Sequence, residues 1–87
     1  MTYGEEIREA RISFDMTLEA LAKKAGTNKG YISGIENGKV RPPSASMTKK
    51  LCKALDLREF DMMALGWAEK APKDIRPEIL KMIGKGI

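Results

Sequence analysis

Residues 28–53 form a strongly basic segment of this chain. The segment contains six lysine or arginine side chains and a single acidic one, Glu36, so its formal charge is +5. Because the whole chain carries +4, the other 61 residues sum to −1. A basic surface on a nearly neutral frame suits the binding of a polyanion such as nucleic acid, although lysines that only contact water would give the same charge count. The basic residues are Lys29, Lys39, Arg41, Lys49, Lys50 and Lys53.

Side chains suited to catalysis are scarce. The chain has no histidine and one cysteine, Cys52, so a zinc site with the usual histidine and cysteine ligands cannot be assembled. Its carboxylates and lysines are scattered, without the paired arrangement that general acid–base catalysis uses. We therefore predict that the protein is not an enzyme and binds no metal or cofactor. A lone cysteine also excludes an internal disulfide and fits a reducing cytoplasm.

The apolar side chains recur with the period of an α-helix, and no segment alternates apolar and polar residues for long enough to form a sheet. We predict one all-α domain for these 87 residues. No apolar run approaches the roughly 20 residues that span a bilayer, and no secretory signal is visible, so a cytoplasmic protein without membrane contact is expected. Five helices are expected, at about residues 4–13, 18–25, 28–36, 44–55 and 58–67.

Capping residues mark the ends of these helices. Thr17 and Asn28 (or Thr27) are expected as N-caps of the second and third helices, and Ser44 is expected to open the fourth. Gly26 follows the second helix, where a positive φ is expected. Asp15, which tolerates the left-handed conformation, is expected to end the first helix.

The same spacing predicts which helix faces are buried. The fifth helix is expected to bury Phe60 and Met63, and Cys52 of the fourth helix is expected to be an inert core thiol rather than a redox sensor. The predicted inner face of the first helix contains Ile7, Ala10, Arg11 and Phe14. That of the fourth contains Ala45, Thr48, Leu51, Cys52 and Leu55.

The stretch from Leu18, LEALAKKAGTNKGYISGIEN, predicts two helices joined by a tight turn. Its fifth residue, Ala22, is small, as the close approach of two steeply crossing helices requires. Its ninth, Gly26, suits a turn with positive φ. Ile32 and Ile35 at places fifteen and eighteen bury one face of the second helix and leave the other free. The alternative is an ordinary helical hairpin within a bundle.

Over residues 4–67 the chain resembles the Cro/lambda-repressor type of helix-turn-helix proteins, also called xenobiotic-response-element-like. The resemblance covers GEEIREAR in the first helix and MTLEALAKKAG in the second. It continues through NKGYISGIENGKVRPPS and LCKALDL. This resemblance implies a five-helix lambda-repressor-like DNA-binding domain of a transcriptional regulator, usually a repressor that binds a palindromic operator as a homodimer.

The resemblance also assigns contacts with double-stranded DNA to individual residues. It places the third helix in the major groove, with its first residues and outward face against base edges. Thr17 and the stretch after the third helix correspond to positions that hold the phosphate backbone. The DNA-binding residues implied in this way are Thr17, Asn28, Lys29, Gly30, Tyr31, Ser33, Gly34, Asn37, Lys39 and Arg41.

Two departures from the family pattern affect these contacts. Leu18 stands where glutamine often begins the second helix, which removes one phosphate contact. Gly30 and Gly34 offer no side chain to the bases, so direct readout rests chiefly on Asn28, Lys29 and Ser33. Each good pairing of a side chain with a base is worth about 1–3 kcal/mol of discrimination, so few such pairings imply reliance on DNA shape.

Glu36 lies beside core residue Ile35, where a carboxylate is unusual. In the family this position pairs with an arginine of the first helix, and Arg11 stands at the matching place. The resemblance therefore implies a structural ion pair between Arg11 and Glu36.

The fifth helix and the C-terminal tail contain more apolar residues than a small monomer can bury. We divide the chain into a helix-turn-helix domain, residues 1–67, and a tail, residues 68–87, with a short helix after Pro77. The tail carries Ile79, Leu80, Met82 and Ile83. The simplest arrangement is a homodimer interface built from Phe60, Met62, Leu65, Trp67, Ile79 and Ile83. The alternative is an antitoxin-type regulator whose tail binds a partner toxin protein.

Overall fold

The computed structural model describes residues 1–70, and that part of the chain contains five α-helices and no β-strand. The predicted all-α fold is therefore confirmed. The short helix expected after Pro77 lies outside the described residues, as do Ile79 and Ile83. The helices are α1 Tyr3–Ser13, α2 Leu18–Ala25, α3 Lys29–Glu36, α4 Ala45–Leu55 and α5 Glu59–Lys70.

Side-chain oxygens cap the N-termini of α2 and α3 as predicted, and Ser44, which was expected to open α4, is the N-cap of that helix. The Thr17 hydroxyl accepts from Ala20 N at 3.0 Å, and the corresponding bonds of Asn28 and Ser44 are 2.9 and 3.3 Å. α1 has a cap that was not predicted, in which Thr2 and Glu5 each accept a hydrogen bond from the other's backbone N–H. These caps satisfy N–H groups that have no partner within the helix.

Four helix ends turn through the left-handed conformation, and Gly38 after α3 is one of them, with φ 71°. Gly26 has φ 71° and Asp15 has φ 53°, as expected from their residue types. Asp56 also has φ 53° and caps α4, which was not predicted. Aspartate accepts this conformation at a lower cost than most residues, so a short polar side chain replaces glycine at two of the turns.

α2 packs against both α3 and α4, while α1 packs against α3, α4 and α5. The centre of this arrangement is filled by large apolar side chains with at most 1% exposure: Tyr3, Ile7, Leu21, Ile32, Leu51 and Leu55. Burial raises the pKa of Cys52 to about 11, which agrees with an inert thiol. Two expectations for the inner faces are wrong. Phe14 is 53% exposed because it follows the last residue of α1, and Ala45 is exposed in the first turn of α4.

The inner face of α5 differs from the predicted one. Met62 is 2% exposed, whereas Phe60 is 67% and Met63 37% exposed. Residues two apart on a helix are separated by about 200°, so burying Met62 turns Phe60 outward. Gly66 lies on the same buried face, where a Cβ would stand at ordinary contact distances of 3.4–3.6 Å from Pro42 and the Tyr3 ring. Burial of Met62 also corrects its assignment to the dimer interface, since it has no surface to offer a partner.

The last turn of α5 is attached to the start of α1. The Glu69 carboxylate accepts a hydrogen bond of 2.7 Å from the Tyr3 backbone N–H. The Tyr3 hydroxyl and the buried Thr48 hydroxyl are hydrogen-bonded at 2.8 Å. α5 therefore continues to Lys70, three residues beyond its expected end at Trp67, and residues 68–70 pack on the helical domain.

Candidate nucleic-acid interface

The turn between α2 and α3 sets the angle at which α3 leaves the body of the protein. Ala22 is 3% exposed, so its small side chain lies between the packed helices. Its carbonyl accepts a hydrogen bond of 2.9 Å from Thr27 N, across the left-handed turn at Gly26. Ile32 and Ile35 are buried on the inner face of α3. The opposite side of α3 is consequently left open to solvent.

Thr17 and Asn28 lie at the N-termini of the two helices of this motif. Both side chains are exposed, and both use one oxygen as a helix cap. The Thr17 hydroxyl retains its hydrogen and the Asn28 amide retains its NH₂ group, so each can still donate a hydrogen bond. Anions are also favoured at helix N-termini by the aligned peptide dipoles. The two caps thus provide donors suited to phosphate or base acceptors.

Lys29 begins α3 and is the one cation within this helix. Its ammonium lies 3.6 Å from a Glu19 carboxylate oxygen on α2, with both side chains well exposed at 66% and 76%. Sequence reasoning did not identify Glu19 as part of this surface. The two residues are ten positions apart and lie on different helices, so the periodicity of a single helix does not predict their contact.

The outward face of α3 provides few further groups. Gly30 is exposed, and a Cβ there would stand 3.3 Å from the Asn28 side-chain oxygen. The Ser33 hydroxyl accepts a hydrogen bond of 3.2 Å from the Asn37 side-chain amide. Tyr31 is half-buried and packs against the core.

Gly34 has a structural function that was not predicted. A Cβ at this position would stand 3.3 Å from a Val40 methyl, so the absent side chain makes room for the loop that follows α3. The Gly34 carbonyl also accepts hydrogen bonds from Lys39 N at 2.9 Å and Val40 N at 3.3 Å. Val40 thus lies against the position that was expected to face the bases.

The loop after α3 presents two exposed cations, Lys39 and Arg41. Gly38 turns the chain with φ 71°, and Pro43 is buried at the end of the loop. The Lys70 ammonium donates to the Pro43 carbonyl at 3.5 Å, so the end of α5 supports the loop from behind. Lys39 and Arg41 therefore lie next to α3 on a loop that buried Pro43 and its hydrogen bond with Lys70 hold against the domain.

Arg11 and Glu36 meet beneath this surface. Arg11 donates from Nε to Glu36 Oε2 at 2.7 Å and from Nη2 to Oε1 at 3.1 Å. Its Nη1 donates to the Met16 carbonyl at 2.8 Å. The hydrogen-bonded carboxylate raises the pKa of Arg11 above its ordinary value. The pair joins the end of α1 to the end of α3 and so helps to hold α3 in position.

Gly4 permits the close contact between α1 and α3, and sequence reasoning missed it. A Cβ at Gly4 would overlap the carbonyl oxygens of Ile35 and Glu36. No local pattern identifies this glycine, because the backbone that excludes a side chain at Gly4 belongs to a segment about thirty residues further along the chain.

Residues 1–70 contain neither a metal-binding cluster nor a membrane-spanning helix. No group of three or more histidine, cysteine or carboxylate side chains there is placed to hold a metal ion. None of the helices in this part of the chain combines the length and the apolar character needed to cross a membrane.

Comparison with known proteins places this arrangement in a family. The model of the helix-turn-helix family matches residues 7–61. The uncharacterized HTH-type transcriptional regulator RghRB of Bacillus subtilis (strain 168) is 35% identical over 75 residues, which cover 85% of this chain and 54% of RghRB. The HTH-type transcriptional repressor RghR of the same organism is 33% identical over 86 residues, covering 92% of this chain and 64% of RghR. The chain thus spans between half and two thirds of the length of these relatives.

A solved structure is also similar. The master regulator for biofilm formation SinR, crystallised in complex with DNA, superposes with a TM-score of 0.66 and 31% sequence identity. The match covers 71% of this chain and 98% of the SinR chain. Sequence, fold and family model agree with the resemblance inferred from the residues: this chain belongs to the Cro/C1-type helix-turn-helix family.

Proposed function

We propose that the chain is a DNA-binding transcription regulator, acting as a repressor and as a homodimer on a palindromic operator. The observation that carries the proposal is the open face of α3, held outward by the Ala22–Gly26 turn and flanked by Thr17, Lys39 and Arg41. RghR is a transcriptional repressor, and SinR was crystallised in complex with DNA. The proposed function involves no catalytic step, and we propose that the protein acts in the cytoplasm.

Each part of the surface has a distinct task in the proposed complex. The first turn of α3 enters the major groove, where Asn28 and Lys29 meet base edges. Thr17 holds the backbone on one side of α3, and Lys39 and Arg41 hold it on the other. Asn37, Ser33 and Tyr31 line the remaining surface, and Gly30 lets the backbone approach closely.

A single α3 helix reads too few base pairs for useful specificity, so two copies on half-sites about one helical turn apart are expected. An exposed apolar stripe on α5 supports such a homodimer. Phe60, Met63 and Trp67 are spaced i, i+3 and i+7, and they are 67%, 37% and 61% exposed. Leu65 is half-buried beside them. We propose this stripe as the described part of the interface, extended by Ile79 and Ile83 of the tail.

The proposal is tested by selecting bound sequences from a random pool of double-stranded DNA, together with sedimentation of the free protein. A palindromic consensus bound by a dimer is the expected result. The Lys29→Ala and Arg8→Ala variants form a matched pair, because each removes one exposed positive charge and only Lys29 lies on α3. A pool that shows no enrichment, or equal losses in the two variants, would contradict the proposal.

A further inference from the structure

Glu19 and Lys29 form the one ion pair between the two helices of the motif in the described structure. Resting on the proposed function, we infer that they act together as a specificity element that selects a guanine–cytosine pair in each half-site. Lys29 contacts the guanine, and Glu19 both positions Lys29 and accepts a hydrogen bond from the cytosine.

The pair stands nearly alone on the surface at the start of α3. Asn28 gives its side-chain oxygen to the helix cap, and Ser33 accepts from the Asn37 amide. Gly30 has no side chain to offer. Of the side chains at the start of α3, the Lys29 ammonium and the Glu19 carboxylate therefore have the most hydrogen-bonding capacity left for DNA.

The geometry of the pair suits the major-groove edge of a guanine–cytosine pair. In the major groove a guanine shows two acceptors, N7 and O6, and its partner cytosine shows the N4 amino donor beside O6. The Lys29 ammonium and a Glu19 carboxylate oxygen, 3.6 Å apart, present a donor and an acceptor side by side, which is the arrangement that guanine O6 and cytosine N4 require. A thymine–adenine pair also offers an acceptor beside a donor. Thymine, however, has a single acceptor next to a methyl group, whereas guanine has two acceptors for an ammonium with three hydrogens.

Glu19 carries a charge that DNA repels. The dipole of α2 favours a carboxylate in the first turn of that helix, but an exposed ion pair adds little to the stability of the free protein, so stability does not account for the pairing of Glu19 with Lys29. Near a phosphate backbone that carboxylate is repelled by DNA of every sequence. Specific recognition commonly combines an attraction to the correct target with a penalty against all others. Glu19 meets both conditions, because its repulsion is offset only where an amino donor such as cytosine N4 stands beside the base that Lys29 contacts.

The test compares Glu19→Gln with Glu9→Gln, which removes the same charge from an exposed position on α1. Lys29→Ala and the double variant complete the set. Each protein is profiled against the random DNA pool. Dissociation constants are then measured for the selected operator and for operators substituted at each position.

Wild-type protein and Glu9→Gln are expected to prefer guanine–cytosine at one position per half-site. Glu19→Gln should reduce that preference about tenfold while binding random DNA at least as tightly as wild-type protein. Lys29→Ala should lose preference at the same position, and adding Glu19→Gln to it should have no further effect there.

A Glu19→Gln profile that superimposes on that of Glu9→Gln would overturn the inference and leave the proposed function standing. The same holds if the position sensitive to Lys29 prefers another base pair, or if the two substitutions act at different positions. A wild-type protein that enriches no sequence overturns both the inference and the proposed function.

Discussion

The Arg11 guanidinium binds the Glu36 carboxylate through two hydrogen bonds, of 2.7 and 3.1 Å, and thereby joins the end of α1 to the end of α3. The side chains are only 15% and 5% exposed. Two nearly parallel N–H···O bonds fix the orientation as well as the distance, which is the usual advantage of arginine over lysine at such a site. Because Glu36 ends α3, this contact links the interior of the domain to its proposed reading surface.

Removing one partner of this pair should destabilise the protein strongly. Arg11→Met leaves the Glu36 carboxylate buried without its cation, and we expect a loss of about 3–5 kcal/mol in the free energy of unfolding. Urea denaturation followed by circular dichroism measures it. Arg8→Met, on the exposed side of α1, is the control and should change stability by less than about 0.5 kcal/mol. Similar stabilities for the two variants would show that the pair is not structural.

Two glycine-to-alanine substitutions should have opposite effects. Gly4→Ala would place a methyl group against the carbonyls of Ile35 and Glu36, and forcing α1 and α3 apart should cost about 1–3 kcal/mol. Gly66→Ala meets only ordinary contact distances in the middle of α5, so it should be neutral or stabilise by up to about 1 kcal/mol. Thermal unfolding compares the two. A Gly4→Ala protein as stable as wild type would contradict the close approach of the helices.

Stability should decline in alkaline solution. Burial raises the pKa of Cys52 from 9.0 to about 11 and that of Tyr3 from 10.0 to about 12. The unfolded chain releases these protons at lower pH than the folded protein does, so stability is retained below pH 9 and is lost progressively between pH 9 and 12. Urea midpoints measured across this interval provide the test. Cys52→Ala should delay the onset from about pH 9 to about pH 10, and an onset unchanged by the substitution would exclude Cys52 as its cause.

Arg41→Ala should weaken binding to all DNA sequences alike. Arg41 is exposed on the anchored loop after α3, where a phosphate contact is proposed. Loss of one such contact should make the slope of log affinity against log salt shallower by about one unit, because fewer counterions are released. Binding titrations at several salt concentrations measure this slope. A selective loss for the operator, with binding to random DNA unchanged, would instead assign Arg41 to base recognition.

The contributions of the tail and of the α5 stripe to the homodimer can be measured separately, by truncating the tail and by substituting a residue of the stripe. Truncation after Lys70 keeps all of α5, including the Glu69 and Lys70 contacts, and removes only residues 71–87. If both parts form the interface, this truncation should shift sedimentation toward monomer, and Trp67→Ala in the full chain should do the same. Operator binding by either variant should weaken steeply on dilution.

An exposed residue outside the stripe provides the control for this experiment. Ile12→Ala removes a large apolar side chain that is 54% exposed on α1, and it should leave the dimer intact. A truncated protein that stays dimeric and binds DNA unchanged would assign residues 71–87 to another task. Co-purification of the full chain with a small unrelated protein would then favour the antitoxin-type alternative.

The helices of this fold and its family could be predicted from residue types and their spacing. Helix caps at Thr17, Asn28 and Ser44 and the turn at Gly26 depend on the chemistry of a few neighbouring residues, so local patterns reveal them. The spacing of Ala22, Ile32 and Ile35 was sufficient to predict that these three residues are buried, because one short motif requires a small residue at the helix crossing and two apolar residues on the inner face of α3.

The inward side of α5, the roles of Gly4 and Gly34 and the position of Glu19 depend on how the helices pack together, and they could not be predicted from local patterns. Met62 and Met63 are equivalent in a local pattern, and the choice between them depends on how Gly66 meets Tyr3 and Pro42. In the sequence, Gly34 is expected to face the bases without a side chain, but in the structure Val40 packs against it. Glu19 reaches Lys29 across a turn. In each case the deciding contact joins separate elements of the fold, and its energy depends on packing that no local period encodes.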